Sequence, residues 1–214
     1  MKLLVINPNT SAEMTDRVVA QVAQCAGEGF EVTGATAAFG APVIASRAAF
    51  VVAAHAALAT YEEHGKSADA VILACFGDPG LAALREVAAK PVIGLAQASI
   101  DAALRLGQPF GIVTAGHAWG EMLREQVLLQ DAAQSFRGVE ILDTDGLAIS
   151  RDRQGFHARV QQGVDAAQQS GAATVILGGA GFAGMAASLH CQGTLLDCID
   201  CATAAALQAM RGEL

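Results

Sequence analysis

Two stretches of the chain decide its fold, ADAVILACFGDPGLAAL at residues 68–84 and AATVILGGAGFAGMAAS at residues 172–188. They align without gaps at an offset of 104 residues, and each joins a short apolar run to a glycine-containing turn and an Ala-rich segment. The same offset aligns PVIGLAQASIDAAL (91–104) with LLDCIDCATAAALQ (195–208). Short apolar runs that alternate with longer Ala-rich segments are typical of βαβ units and a parallel sheet.

The repeat divides the chain into two similar halves, about residues 1–105 and 106–214. We therefore predict an α/β protein of two flavodoxin-like half-domains, each with its own parallel sheet. No Pro/Gly/Ser-rich linker separates the halves, and ligands of open α/β sheets bind beyond the carboxyl ends of the strands, so we expect the site in the cleft between them. Further predicted strands are KLLVIN (2–7), the weaker EVTGATA (31–37), PFGIVT (109–114) and GVEILD (138–143).

Composition excludes several classes of protein. Hydrophobic residues make up 53% and charged residues 16% of the chain, which argues against disorder. The net charge is −8 and no Lys/Arg cluster occurs, so nucleic-acid binding is not expected. No apolar run approaches the ~18 residues that cross a bilayer, and the N-terminal run is too short for a signal peptide. We expect a cytoplasmic protein that binds a small molecule.

The five cysteines do not form a recognisable disulfide or metal framework. An odd number in a reducing compartment argues against structural disulfides. Cys198 and Cys201 form a C-x-x-C pair, but no second ligand pair accompanies them, so we predict no metal site.

The segment CFGDPG (75–80) contains the best candidate for a catalytic residue. Asp78 is predicted to cap a helix that begins at Pro79. Cys75 would then lie between the end of a buried strand and the positive end of a helix, which favours the thiolate. We predict that Cys75 is catalytic.

Two other polar segments are candidates for substrate binding. In NPNT (7–10), Asn9 and Thr10 are candidates to offer polar groups to a carbonyl or carboxylate. The alternative is that the segment only caps a helix, with Thr10 and Glu13 forming a capping box. In SRAAF (46–50), Arg47 stands at a predicted loop-to-helix junction. It either binds a substrate carboxylate with two hydrogen bonds or is a solvated surface residue.

The segment GAGFAG (179–184) matches the G-x-G-x-x-G pattern of dinucleotide-binding proteins, with Asp197 eighteen residues on. It begins 35 residues before the last residue, too few for a following βαβαβ unit. The internal repeat also accounts for it, because it stands opposite CFGDPG. A nicotinamide-dependent oxidoreductase is therefore the less favoured reading.

INPNT, ACFGDPGL and PVIGLAQA closely resemble the aspartate/glutamate/hydantoin racemase superfamily, above all its hydantoin and allantoin racemase branch. The resemblance implies proton transfer without a cofactor, one cysteine from each half, and a dimer or larger homo-oligomer. Inversion at a carbon beside a carbonyl needs an acid/base group on each face. A pyridoxal route would need a lysine, and none of Lys2, Lys66 and Lys90 has a convincing site context.

Gly179 stands where the resemblance implies the second cysteine. Either Cys198 or His117, each after a predicted strand, substitutes for it, or the enzyme is a one-cysteine lyase or hydrolase. A non-catalytic sensor is a further alternative. Beside the catalytic candidates Cys75, Cys198 and His117, we predict these substrate-binding residues: Asn9, Thr10, Arg47, Phe76, Gly77, Thr114, Gly179 and Ala180.

Overall fold

The computed structural model describes residues 1–213 and contains two four-stranded parallel sheets. The strand order is β2-β1-β3-β4 in the first sheet and β6-β5-β7-β8 in the second. The predicted α/β class with two parallel sheets is confirmed, and the weak candidate at 31–37 is a strand. The strands are β1 (Lys2–Asn7), β2 (Glu31–Thr36), β3 (Ala70–Leu73), β4 (Val92–Gly94), β5 (Phe110–Ala115), β6 (Phe136–Leu142), β7 (Thr174–Leu177) and β8 (Thr194–Asp197).

The described chain has eight α-helices, and most connections between parallel strands contain one, although β7 and β8 are joined by 3₁₀ turns only. None of these helices, within residues 1–213, has both the length and the apolar character needed to cross a membrane. The helices are α1 (Ala12–Ala26), α2 (Arg47–His64), α3 (Leu81–Val87), α4 (Leu95–Arg105), α5 (Trp119–Leu129), α6 (Gly146–Arg151), α7 (Arg153–Gln169) and α8 (Cys198–Met210).

The sequence repeat is also a repeat of structure. Strands β3 and β7 are related by the offset of 104 residues, both are fully buried, and both are central in their sheets. Their sequences, AVIL and TVIL, are apolar apart from Thr174, because helices cover both faces of the sheet. The carboxyl end of each central strand leads into one of the two aligned loops, CFGDPG and GAGFAG.

The two halves share one hydrophobic core. Val5 and Ile72 of the first sheet belong to the same buried cluster as Ile112, Ile176 and Ile199 of the second half. Helix α8 packs on α1, α4 and β3, while α4 packs on β7. The last helix of each half therefore contacts the other half, which holds the two sheets in a defined relation. The limits 1–105 and 106–214 stay a prediction.

Helix α1 begins differently from the predicted capping box. Ser11 is its N-cap, and the Ser11 hydroxyl accepts a hydrogen bond from the Met14 N–H at 3.3 Å. The box of Thr10 and Glu13 was wrong by one residue, because Ser11 is equally suited to cap a helix and stands next to the helical segment. Glu13 instead forms an ion pair with Arg17, at 2.7 Å.

Candidate active site

A cavity of about 70 Å³ lies where the loops after the central strands of the two sheets meet. Cys75 and Phe76 of the first half contribute to one wall, and Gly179 and Ala180 of the second half contribute to the other. A cavity of this volume has room for about five water-sized groups, which suits a small ring. The sequence-based expectation of a site between the halves thus corresponds to a cavity at that place.

Cys75 lies two residues beyond the end of β3, in a tight turn. The Asp78 N–H closes this turn by donating to the Cys75 carbonyl at 3.0 Å. Cys75 is one of the residues that line the cavity, although it is only 8% exposed. Burial raises the pKa of the Cys75 thiol, and the negative charge of Asp78 raises it further. The structure therefore favours a protonated thiol at neutral pH.

The prediction of a Cys75 thiolate depended on a helix that begins at Pro79, and the structure has no helix start at that residue. Helix α3 begins at Leu81, with Gly80 and not Asp78 at its N-cap, so its positive end does not begin directly after the cysteine turn. The assignment of Asp78 and Pro79 to this helix start was wrong. The physical reason is that the Asp78 carboxylate is used elsewhere, with its backbone at a φ of 57°.

The Asp78 carboxylate caps α4. It accepts hydrogen bonds from the Ala96 N–H at 3.0 Å and from the Gln97 N–H at 2.8 Å. Gly94, the N-cap residue of α4, has no side chain to do so. Burial raises the pKa of Asp78 to about 7, while the two N–H donors and the charge of Arg85 act in the opposite direction. Asp78 thereby ties the cysteine turn to the neighbouring strand and helix.

Cys198 occupies the position in the second half that Gly94 occupies in the first. A Cβ atom at Gly94 would overlap the Asp78 carboxylate, whereas Phe182 replaces that aspartate at the same offset in the second half. The Cys198 sulfur lies behind the Gly179 loop, 3.4 Å from the Gly179 N–H that donates to it. Cys198 is 1% exposed and does not line the cavity. Burial raises the pKa of its thiol, as does the nearby charge of Asp197.

Asn9 and Thr114 both line the cavity, as placed by sequence reasoning at strand ends. The Asn9 side-chain oxygen accepts from the Asn7 amide at 2.9 Å and from the Ser11 N–H at 2.9 Å. The Thr114 hydroxyl donates to the Gly178 carbonyl at 2.6 Å, which joins the ends of β5 and β7. Thr10 does not line the cavity.

Arg47 and His117 also lie outside the cavity. Arg47 is exposed and forms two hydrogen bonds with the Glu125 carboxylate, at 2.6 and 2.8 Å, so it links α2 to α5 across the two halves. The Nε2 atom of His117 lies 2.9 Å from Asp143, and the His117 side chain is 77% exposed. Across residues 1–213, no three His, Cys, Asp or Glu side chains are grouped as metal ligands would be.

Two residues of the cavity wall have backbone N–H groups without an acceptor in the described part of the chain. Phe76 and Ala180 are related by the offset of 104 residues, line the cavity, and have no acceptor for their N–H groups among the described residues. The following residue of the first loop, Gly77, has a φ of 144° and packs against the Trp119 ring, where a Cβ atom would overlap. The Trp119 indole N–H in turn donates to the Ile44 carbonyl at 3.0 Å.

Sequence reasoning missed several residues of the cavity wall. Two of the apolar ones, Val43 and Ile44, come from the loop that precedes α2, where no periodic pattern indicates what a side chain contacts. Asp145 is the ionisable one, and it follows β6 at the N-terminus of α6. A carboxylate directly after a predicted strand was the available signal. The larger missed residues are Met14, Val43, Ile44, Trp119, Asp145 and Phe182.

The GAGFAG segment does not form a dinucleotide site. One 3₁₀ turn lies within it at 180–182, a second follows at 186–188, and the next α-helix of the described chain begins only at Cys198. The helix N-terminus that would bind a pyrophosphate is therefore missing at this loop. This finding removes the structural basis for the oxidoreductase alternative.

The fold and cavity define a class of α/β enzyme with two flavodoxin-like halves and a buried cysteine at the cleft between them. The family model described as Asp/Glu/hydantoin racemase matches residues 3–209, and the chain belongs to that family.

Three similar proteins agree with this assignment. The chain is 32% identical over 200 residues to a hydantoin racemase of Pseudomonas sp. (strain NS671), covering 89% of this chain and 77% of the relative. It is 30% identical over 192 residues to a hydantoin racemase of Paenarthrobacter aurescens, covering 88% and 81%. The crystal structure of allantoin racemase from Pseudomonas fluorescens matches with a TM-score of 0.94 and 25% identity, covering 100% of this chain and 92% of that one. The chain is a racemase-type isomerase.

Proposed function

We propose that the enzyme racemises 5-substituted hydantoins by proton transfer at C5 of the ring, without a cofactor, and that Cys75 transfers one of the protons. The observation that supports this most directly is the placement of the Cys75 thiol at the wall of a ring-sized cavity between the two sheets. Relatives with 30% and 32% identity carry the name hydantoin racemase, which supports the choice of substrate.

The free N–H groups of Phe76 and Ala180 support an enolate intermediate. When the C5–H bond breaks, negative charge develops on a neighbouring carbonyl oxygen of the hydantoin ring. Backbone N–H groups that are already in position stabilise such an oxyanion without reorganisation. Their lack of another acceptor within the described chain supports this role.

The apolar wall of the cavity supports an apolar 5-substituent. Val43 and Ile44 come from the loop before α2, Met14 from α1, and Trp119 and Phe182 from the second half. Such a lining favours alkyl, thioether or benzyl groups, whose burial is worth about 25 cal/mol per Å². A strongly polar substituent, such as a ureido group, would leave hydrogen-bonding groups unsatisfied against this wall.

The glycine at position 179 favours a second candidate function. Because it brings no acid/base group to the second wall, a one-cysteine lyase or hydrolase remains the alternative. Such an enzyme would protonate or attack its substrate from one face, with Cys75 as the proton donor or the nucleophile.

Isotope exchange tests the proposed function. Each enantiomer of 5-benzylhydantoin is incubated in D₂O with purified enzyme, and optical rotation and deuterium at C5 are followed together, with non-enzymatic exchange subtracted. We expect both enantiomers to invert and to acquire deuterium as they do so. Exchange with retention in one enantiomer only would favour the one-cysteine alternative, and neither exchange nor inversion would reject the proposed reaction.

We also propose that the enzyme works in the cytoplasm as a homo-oligomer. The support for self-association is that three large apolar side chains on or next to α2, Phe39, Val51 and Val52, are exposed by 39%, 68% and 42%. Exposed apolar side chains that group on a surface often mark protein interfaces. Sedimentation velocity should show a dimer or larger species for the wild type and a smaller one for Val51→Glu. A monomeric wild type at micromolar concentration would contradict self-association.

A further inference from the structure

We infer that Asp145 is the acid/base group on the wall opposite Cys75, so that this enzyme pairs a thiol with a carboxylate. The inference rests on the proposed racemisation. Among the described residues that line the cavity, Cys75 and Asp145 are the two with ionisable side chains that can serve as acid/base groups. They come from different halves of the molecule, one after β3 and the other after β6.

The position of Asp145 is determined by its own helix. One oxygen of its carboxylate, Oδ1, accepts hydrogen bonds from the Leu147 and Ala148 N–H groups, each at 2.9 Å. Within the described chain Oδ2 has no such partner, so one oxygen holds the side chain while the other is free to take a proton. The first turn of α6 also packs against the 3₁₀ turn that contains Ala180, beside the proposed oxyanion site.

The two groups differ in the way that inversion requires. Cys75 is buried and its pKa is raised, so the thiol holds its proton until a carbanion or enolate forms beside it. The Asp145 side chain is exposed. Asp145 serves as the base that removes the C5 proton, while the Cys75 thiol serves as the acid.

The reaction then balances without a further reactant. Asp145 takes the proton as the C5–H bond breaks, and the bonding electrons pass into the enolate. The S–H bond of Cys75 breaks as a new C5–H bond forms on the opposite face. A carboxyl group and a thiolate remain, and proton exchange through water restores the starting state. The opposite enantiomer follows the same steps in reverse.

Cys198 and His117, the substitutes that the sequence suggested for the second cysteine, do not line the cavity. Cys198 lies behind the Gly179 loop, and His117 projects towards Asp143 outside the cavity. Neither is therefore placed to reach a ring bound in the cavity. With Asp145 and Cys75 the enzyme has two acid/base groups, although Gly179 has no side chain to supply one.

The test compares Asp145→Asn with Cys75→Ala, using both enantiomers of 5-benzylhydantoin in D₂O. Asparagine caps helices about as well as aspartate, so Asp145→Asn removes the acid/base group and keeps the cap. We expect each variant to lose inversion by about 10²–10⁴-fold, the usual contribution of one acid/base group. Asp145→Asn should still exchange the C5 proton of one enantiomer with retention, and Cys75→Ala that of the other.

Asp152→Asn is the matched control, because Asp152 caps α7 through the Gly155 N–H and does not line the cavity. It should racemise at the wild-type rate. Asp145→Ser, which also retains a capping oxygen, replaces Asp145→Asn if that variant does not fold. Inversion by Asp145→Asn within tenfold of the wild type overturns the inference and leaves the proposed function intact. A wild type that neither exchanges nor inverts the substrate rejects the proposed function, and the inference with it.

Discussion

Replacing Cys75 with alanine is expected to lower the rate constant for hydantoin inversion by about 10²–10⁴-fold, with little change in KM. The thiol contributes a proton in the transition state and little ground-state binding, whereas the apolar wall and the Phe76 and Ala180 N–H groups remain in place. Steady-state rotation assays with both enantiomers measure the effect.

Cys25→Ala is the matched control for that substitution. Cys25 is exposed on α1, donates to Asp200 at 2.9 Å, and does not line the cavity. It should retain wild-type kcat and KM. If Cys75→Ala also retains activity within a few fold, Cys75 is not the proton donor.

Alkylation as a function of pH examines the protonation state of the same thiol. Iodoacetamide reacts with the thiolate, so the rate of Cys75 modification reports its pKa. Burial and the charge of Asp78 both raise this pKa, so we expect a value above the ~8.5 of a free cysteine. Asp78→Asn removes a negative charge and should lower it. A wild-type Cys75 pKa below the ~8.5 of a free cysteine would instead support the thiolate form that the sequence alone suggested.

Gly94→Ala is expected to destabilise the protein by at least ~2 kcal/mol and to impair activity with it. The added Cβ atom would overlap the Asp78 carboxylate, which has to leave its position. Overpacking of this kind costs about 1–3 kcal/mol, and the loss of hydrogen bonds to a charged group adds about 1.5–3 kcal/mol each. The cysteine turn that Asp78 closes should then lose its fixed geometry. Urea denaturation gives the free energy of unfolding.

A double-mutant cycle separates this overlap from a general effect of alanine at position 94. Asp78→Gly removes the carboxylate and tolerates the φ of 57°, since glycine adopts positive φ without strain. In that background Gly94→Ala should cost at least ~1 kcal/mol less than in the wild type, because residues in direct contact are energetically coupled. Equal costs in both backgrounds would show that the carboxylate does not occupy the space above Gly94.

Much of the fold could be predicted from the sequence because the repeat is exact in its spacing. The offset of 104 residues places β7 on β3 and pairs the loops CFGDPG and GAGFAG. Short apolar runs of this kind, bounded by turns and alternating with longer Ala-rich segments, are typical of central parallel strands, and parallel strands bring their carboxyl ends to one edge. The same logic placed Cys75, Asn9 and Thr114 at strand ends, where they line the cavity.

The surroundings of Asp78, Cys198 and Asp145 were decided by the tertiary structure. Asp78 reads in sequence as the cap of the next helix, but its carboxylate reaches α4 because Gly94 leaves the space open. Cys198 fills the equivalent space in the second half, so its sulfur faces the back of the loop. Local sequence patterns record a residue's position along the chain. Packing between segments that are distant in sequence decides which side chain occupies a gap between two elements. The same packing decides which wall of the cavity a carboxylate such as Asp145 belongs to.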